Sequence, residues 1–278
     1  MLPVRRAAVA GSWYPAHPDA LAREVDRYLA AAGKPIAGEP IAVIAPHAGL
    51  MYSGPIAAHS YNLLRGRDID VVVLVGPSHY VAFDGVAVYE RGAFETPFGP
   101  VAIAEHCADA VAMGSPQIHP HPTAHLREHS LEMQLPFLKR ILPDAEIVPL
   151  VMGHQRRETA YALGDAIAAA VKGRKAVLVA STDLSHYQSA PAAAKLDGKV
   201  IRQVLRFDAD GLMSLIETFP EHACGGGPTV AVMRAAKLLG ATDGRVLKYG
   251  DSGDVSGDKD AVVGYLAAAF GTFPPAIH

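Results

Sequence analysis

Side chains that can bind a metal or move a proton follow three apolar stretches of the sequence. His47 comes after IAVIAP, His79 comes after VVVLVGPS, and both Asp183 and His186 follow AVLVAST. Imidazole is the commonest metal ligand among the side chains and can also act as a general base. One such histidine is more often a polar loop residue bonded to the backbone, but three in the same relative position favour a shared site.

A cysteine in the last quarter of the chain is a candidate third ligand. The stretch EHACGGGPTVAVMRAAKLLG places Cys224 before three glycines, and Pro228 opens an amphipathic helix. Free N–H groups at a helix start favour the thiolate, which is the form of cysteine that binds metal. Two histidines and a thiolate suit copper(I), zinc or iron, with Asp183 and His186 as acid–base groups beside the ion. The alternative is a buried, inert cysteine beside a flexible helix cap.

These residues need a scaffold that brings the ends of several strands together. Apolar runs alternate with amphipathic segments, which predicts a single α/β domain over residues 1–278 with a mostly parallel central sheet flanked by helices. In such sheets, ligands bind beyond the carboxyl ends of the strands, where the loops meet. The predicted elements are strands at 41–45, 70–75, 146–153 and 176–180, and helices at 18–33, 156–173, 192–206, 209–218 and 228–239.

Several segments are predicted from turn and cap residues. Ser53 is a candidate N-cap, with Pro55 in the first turn of the helix that follows. Residues 85–104 are predicted to form a hairpin around TPFG, because two short alternating stretches flank it. A further helix is expected over 130–141, with Pro136 interrupting it. The stretch GDSGDVSGDKD lacks the glutamate of a calcium-binding loop and is predicted to be a solvated turn.

The composition argues against several classes of function. With 25 basic and 28 acidic residues, the formal net charge is −3, which gives no electrostatic basis for binding nucleic acid. No apolar run approaches the ~18 residues that a membrane span needs, and the first residues lack the apolar core of a signal peptide. Cys107 and Cys224, the two cysteines, lie in unlike surroundings, so a disulfide framework is not implied. We therefore expect a cytoplasmic protein that binds neither nucleic acid nor a membrane.

A competing motif lies in the histidine-rich segment HPHPTAHLREHSLEM. His125, Glu128 and His129 follow the H-x-x-E-H pattern of some zinc metallopeptidases, in which both histidines bind zinc from one helix and the glutamate activates water. Pro120 and Pro122 weaken this interpretation, because they favour an extended segment before the motif. Two alternatives to the peptidase remain. The segment is a solvated turn, or Glu128 and His129 reach the pocket formed by His47, His79 and Cys224.

Other residues are candidates for contacts with a substrate. Trp13 is the only tryptophan and can form either an aromatic wall or part of the core. Tyr52 and Ser78 come soon after predicted strands and can donate hydrogen bonds near the site. Together with Glu128 and His129, they form the predicted substrate-binding set.

Six short motifs of this sequence resemble those of one known family. GSWYP, APHAG, GPSHY, EHSLEMQLPFL, STDLSHY and CGGGP occur in the same order, and the resemblance extends from Trp13 to the final strand. The set resembles the Memo family, whose bacterial and archaeal members are often described as protein B of the AmmeMemoRadiSam system. The resemblance implies a fold similar to class III extradiol dioxygenases and partners of the AMMECR or radical-SAM type.

The same resemblance implies a metal site and assigns its residues. His47, His79 and Cys224 take the places of the ligands, with Fe(II) or copper as the ion and zinc less suited. His186 takes the place of the dioxygenase base, with Asp183 beside it. Dioxygenases of the related fold carry a glutamate where this chain has Cys224, so we expect little ring cleavage.

Three functions stand as hypotheses. The first is a metal-dependent redox protein, for instance an oxygenase-like enzyme that acts on an unknown small substrate. The second is a metal- or peptide-binding module without turnover, although the continuation YQSAPAAAKLDG after His186 lacks the aromatic and arginine-rich residues associated with the eukaryotic member of the family. The third is a zinc metallopeptidase using His125, Glu128 and His129.

Overall fold

The apolar runs form the inner strands of a large sheet in the computed structural model, which describes residues 4–275. The strands in that range are β1 (Val4–Arg5), β2 (Glu39–Ala45), β3 (Val71–Pro77), β4 (Val86–Val88), β5 (Ala93–Phe94), β6 (Val101–Ala102), β7 (Ile118–Pro120), β8 (Glu146–Met152), β9 (Ala176–Ser181), β10 (His186–Gln188), β11 (Asp243–Asp251) and β12 (Val262–Thr272). The helices are α1 (Pro18–Ala31), α2 (Leu50–Leu64), α3 (Glu105–Met113), α4 (Pro122–His125), α5 (Leu135–Ile141), α6 (Arg157–Val171), α7 (Ala190–Arg206), α8 (Ala209–Thr218), α9 (Gly226–Leu238) and α10 (Gly253–Ser256). Every helix in the described range is too short or too polar to cross a membrane.

The large sheet is parallel at its centre and mixed towards its margins. Its nine strands lie in the order β10-β12-β2-β9-β3-β8-β4-β7, and β11 also pairs with β12. Neighbouring strands from β2 to β8 are parallel, whereas β12 and β4 run antiparallel to β2 and β8. The predicted α/β domain with a central sheet flanked by helices is confirmed, and the marginal strands make the sheet mixed.

The centre of the sheet positions the candidate residues. All seven residues of β3 are buried, and four of them are valines, which suit a strand that is covered on both faces. One cluster of buried apolar side chains extends from Val9 to Phe273. Because β2, β3 and β9 are parallel, their carboxyl ends lie along one edge, and the segments beyond them carry His47, His79 and Asp183.

Helix α2 begins earlier than its sequence predicts. Gly49 rather than Ser53 is its N-cap, and Pro55 lies inside the helix. The Ser53 hydroxyl donates to a backbone carbonyl before the helix at 2.8 Å. The Leu50 N–H donates to the Trp13 carbonyl oxygen at 2.8 Å, so a distant segment satisfies this end of the helix.

Two other predicted elements have the wrong extent. Within 85–104, β4 joins the large sheet beside β8, and only β5 and β6 form a hairpin, which joins β1 in a three-stranded sheet. The helix expected over 130–141 is a 3-10 turn followed by α5, so Pro136 is the second residue of α5 and does not interrupt it. Proline is tolerated there, because its missing N–H would have no partner within the helix.

Candidate metal centre

Two histidines and a cysteine from distant parts of the chain meet beyond the sheet edge. One ligand atom each of His47, His79 and Cys224 lies within 4.8 Å of the other two. His47 stands between β2 and α2, His79 follows β3, and Cys224 precedes α9. This is the group that the sequence analysis predicted, and its geometry is that of a possible metal site.

His47 is a buried, neutral ligand candidate. Its side chain is 2% exposed, and its Nε2 lies 3.2 Å from the Cys224 sulfur. Its Nδ1 lies 2.8 Å from the Ser181 hydroxyl, and its backbone N–H donates to Asp183 at 2.8 Å. Burial, with a smaller contribution from the nearby His79, lowers the pKa of His47 to about 3, so the ring is neutral at physiological pH. A neutral imidazole has the lone pair that a metal ion needs.

Glu128 orients His79. Its carboxylate accepts the His79 ring Nδ1–H at 2.8 Å and the His79 backbone N–H at 2.6 Å. It also accepts the backbone N–H groups of His129 and Ser130 at 2.9 and 2.8 Å. Burial alone would raise the pKa of Glu128, but the hydrogen bonds from His79 lower it to about 2, so the carboxylate is charged. The pair leaves Nε2 of His79 for a metal, as in many carboxylate–histidine–metal sites.

Cys224 holds its proton in the metal-free protein. Burial raises the pKa of the Cys224 thiol above its usual range, and the Asp183 carboxylate raises it further. The Asp183 N–H donates to the sulfur at 3.3 Å, which only partly offsets these effects. The expected lowering by the helix start is therefore wrong, because burial outweighs the N–H groups of α9, which begins at Gly226. A metal ion supplies the positive charge that would remove this proton.

The glycines after Cys224 allow a close approach to the end of β9. A Cβ atom on Gly225 would lie 2.8 Å from the Cβ of Thr182. A side chain there would push the cysteine segment away from the strand. Thr182, which was not predicted from the sequence, fixes this approach, because its hydroxyl accepts the Gly225 N–H at 2.9 Å.

Asp183 and His186 lie at different depths beside the group. The Asp183 carboxylate is buried, and one of its oxygens lies 4.0 Å from His47 Nε2. Burial raises the pKa of Asp183 to about 6, against the opposing hydrogen bond from the His47 backbone. His186, on the marginal strand β10, lines a cavity of about 180 Å³ together with Ser185 and Cys224. Both can exchange protons near the group, Asp183 from inside and His186 from the cavity wall.

The predicted substrate-binding residues separate into two sets. The His129 ring stacks on His79, with ring centroids 4.4 Å apart. The Trp13 ring packs in turn against His129, with centroids 4.3 Å apart. The Ser78 hydroxyl donates to a backbone carbonyl at 2.6 Å and shapes its own turn. Tyr52 packs against a small apolar cluster that includes Tyr265. Of this set, Glu128 and His129 contact His79 directly, and Trp13 lies behind His129.

The helix required by the peptidase motif does not form. α4 ends at His125, and Glu128 and His129 lie beyond it. His125 is buried, with Nε2 3.1 Å from the Ala87 carbonyl oxygen. Among residues 4–275, the groups of possible ligands are His47, His79 and Cys224, and a second set of His79, Glu128 and His129, so His125 belongs to neither. The second set contains Glu128 and His79, which are already joined by the hydrogen bond that orients the His79 ring.

Fold and site together define a class, an α/β protein with a possible two-histidine, one-cysteine metal site. The family model described as Memo-like protein matches residues 5–269. MEMO1 family proteins of Methanothermobacter thermautotrophicus and Methanosarcina mazei are each 40% identical to this chain, over 272 and 268 residues. These alignments cover 94% and 95% of this chain and 98% of each relative. The chain belongs to the Memo family.

Metal binding is expected to release about one proton at pH 7.5. The raised pKa of Cys224 means that the thiol must ionise, whereas His47 and Asp183, with pKa values of about 3 and about 6, are already deprotonated. Affinity should therefore rise about tenfold for each unit of pH above 7. Calorimetric titration with zinc in buffers of different ionisation enthalpy measures the release. A value near zero would contradict a thiolate ligand, and a Cys107→Ala protein should behave as wild type.

Proposed function

We propose that this chain is a metal-dependent redox protein that acts on a small molecule at His47, His79 and Cys224. The observation that carries the proposal is the mutual approach of three ligand atoms within 4.8 Å. Two imidazoles with a sulfur form a donor set that suits iron and copper(I) as well as zinc. We favour Fe(II) or copper, because zinc has no redox chemistry.

Two cavities that reach Cys224 give room for a substrate. The first, of about 180 Å³, is lined by Ser185 and His186, and the second, of about 380 Å³, is lined by His154 and Gln155. Their volumes suit a small molecule rather than a folded partner. Because Cys224 lines both cavities, they support a substrate that binds beside this residue.

The protein residues have separate roles in this proposal. The bound ion would supply electron-transfer chemistry. His47 and His79 would hold it through their Nε2 atoms and Cys224 as the thiolate, while Glu128 keeps the His79 ring in position. The Asp183 carboxylate, with its pKa raised to about 6 by burial, can accept a proton beside the group. Trp13 and His129 cover one side and exclude water.

The proposal predicts oxygen consumption that depends on the loaded metal. Protein loaded anaerobically with one equivalent of Fe(II) is placed in an oxygen electrode with a panel of catechols and other small reductants. We expect uptake with at least one compound but little ring-cleavage product, because a cysteine replaces the glutamate of the dioxygenases. Loaded protein that consumes no more oxygen than a His47→Ala control would favour the binding module without turnover.

A Cys224→Glu variant sharpens this test. Glutamate would restore the two-histidine, one-carboxylate set that suits non-haem Fe(II) and oxygen. If the cysteine is what suppresses ring cleavage, this variant should give more cleavage product than wild type. Equal amounts from both proteins would show that the sulfur does not decide the reaction.

A further inference from the structure

A chain of buried hydrogen bonds leads from helix α2 to the His47 ring. The Tyr61 hydroxyl donates to Gln134 Oε1 at 2.6 Å, and Gln134 Nε2 donates to the Ser181 hydroxyl at 2.8 Å. Ser181 Oγ lies 2.8 Å from His47 Nδ1. Tyr61, Gln134 and Ser181 are each 0% exposed, so water does not compete for these bonds.

The surroundings fix the orientation of the Gln134 amide. Its Nε2 lies 3.2 Å from the Pro46 carbonyl oxygen and 3.4 Å from that of Ser130. Carbonyl oxygens only accept, so the NH₂ end must face them and Ser181. The Tyr61 hydroxyl then donates to the oxygen end. A flipped amide would place its oxygen against two other oxygens without a proton between them.

Ser181 then has one lone pair left for His47. Its single proton goes to the Ser130 carbonyl oxygen, 2.7 Å away, which can only accept. One lone pair receives the N–H of Gln134. The remaining lone pair faces His47 Nδ1, and a hydrogen on Nδ1 is the arrangement that gives every one of these close contacts a proton. The other ring nitrogen, Nε2, keeps its lone pair and points towards the Cys224 sulfur at 3.2 Å.

We propose that Ser181, held by Gln134, is a positioning residue that fixes the His47 tautomer with hydrogen on Nδ1. Nε2 is then ready to bind a metal before any ion arrives. The inference rests on the proposed function only for the claim that Nε2 binds a metal ion. The tautomer itself is a property of the metal-free protein and can be measured separately.

Nitrogen-15 NMR of the imidazole rings in metal-free protein reads the tautomer directly. We expect wild-type His47 to carry its hydrogen on Nδ1. In a Ser181→Ala variant, Nδ1 loses its acceptor, and hydrogen should move to Nε2, which can donate towards the sulfur or towards Asp183, 4.0 Å away. Zinc, used as the probe ion, should bind this variant about 10- to 100-fold more weakly, as for other partners of metal-bound histidines.

Ser60→Ala is the matched control. Ser60 is also fully buried, and its hydroxyl donates to the Ile44 carbonyl oxygen of β2 at 2.6 Å, without contact to His47. This variant should keep both the tautomer and the zinc affinity. Ser181→Thr keeps a hydroxyl and should restore hydrogen on Nδ1.

Several outcomes would overturn the inference. If NMR shows the hydrogen of wild-type His47 on Nε2, the inference is wrong, and this result needs no folded variant. An unchanged tautomer in Ser181→Ala also overturns it. If the NMR results agree but zinc does not bind wild type, the proposed function fails while the tautomer assignment stands. If zinc binds tightly with hydrogen on Nε2 beforehand, the assignment fails while the proposed function stands.

Discussion

A Cys224→Ala protein should bind one equivalent of Fe(II) or zinc more than about 100-fold more weakly than wild type. Changing a partner that only orients a ligand typically costs about 10- to 100-fold in affinity, so removing a ligand should cost more. The sulfur is the one anionic donor in the proposed set, which makes its loss larger than that of a single imidazole. Anaerobic titration followed by metal analysis after gel filtration gives the affinity and the amount retained.

Cys107→Ala provides the control for this result. Cys107 is the other cysteine, and it is buried in α3 rather than placed among the ligand candidates. Its substitution should leave metal binding within about twofold of wild type, since its sulfur is not in the ligand group. Equal binding by both cysteine variants would mean that sulfur is not a ligand and would remove the basis of the proposal.

An Arg5→Ala protein should lose about 3–5 kcal/mol of stability, because it leaves a buried carboxylate without its cation. The Arg5 and Glu132 side chains are both 0% exposed and form a salt bridge. Arg5 also donates to the backbone carbonyl oxygens of His125 and Glu128, at 2.8 and 2.5 Å. On the other side, Glu132 accepts the Tyr14 hydroxyl at 2.7 Å. The pair therefore ties the first strand to the segment that carries Glu128.

The neighbouring Arg6 gives the comparison for this prediction. Its side chain is 85% exposed and pairs with Glu95 at 2.9 Å. Exposed pairs contribute about 0–1 kcal/mol, so Arg6→Ala should be nearly neutral. Urea denaturation followed by circular dichroism gives both free energies of unfolding. Similar small losses for the two variants would show that the buried pair adds little and would contradict the argument.

The centre of the fold and the ligand group were predictable because both follow from local patterns. β3 is a continuous apolar run, which is typical of a strand buried on both faces. His47 and His79 come soon after such strands, and parallel strands bring the following loops to one edge. The position of Cys224 depends on a loop before a helix, so its spacing left open whether it is a ligand or an inert cysteine. The resemblance to the Memo family favoured the ligand.

The residues that support the ligands were less accessible to sequence reasoning. Glu128 was predicted to reach the pocket, but its contact with His79, 49 positions away, was not, and Ser181, 134 positions from His47, was not predicted at all. Such pairs leave no periodic signal, because each depends on the packing of distant segments. The early start of α2 also depends on a distant segment, because the Trp13 carbonyl oxygen accepts the Leu50 N–H. The raised pKa of Cys224 also depends on burial, which the neighbouring glycines do not reveal.

X-ray absorption at the zinc edge tests the ligand set most directly. Protein loaded with one equivalent of zinc as a probe should show one sulfur at about 2.3 Å and nitrogen neighbours at about 2.0–2.1 Å. The sulfur should persist in Cys107→Ala and disappear in Cys224→Ala. A wild-type spectrum with only nitrogen and oxygen neighbours would contradict the claim that His47, His79 and Cys224 bind one ion.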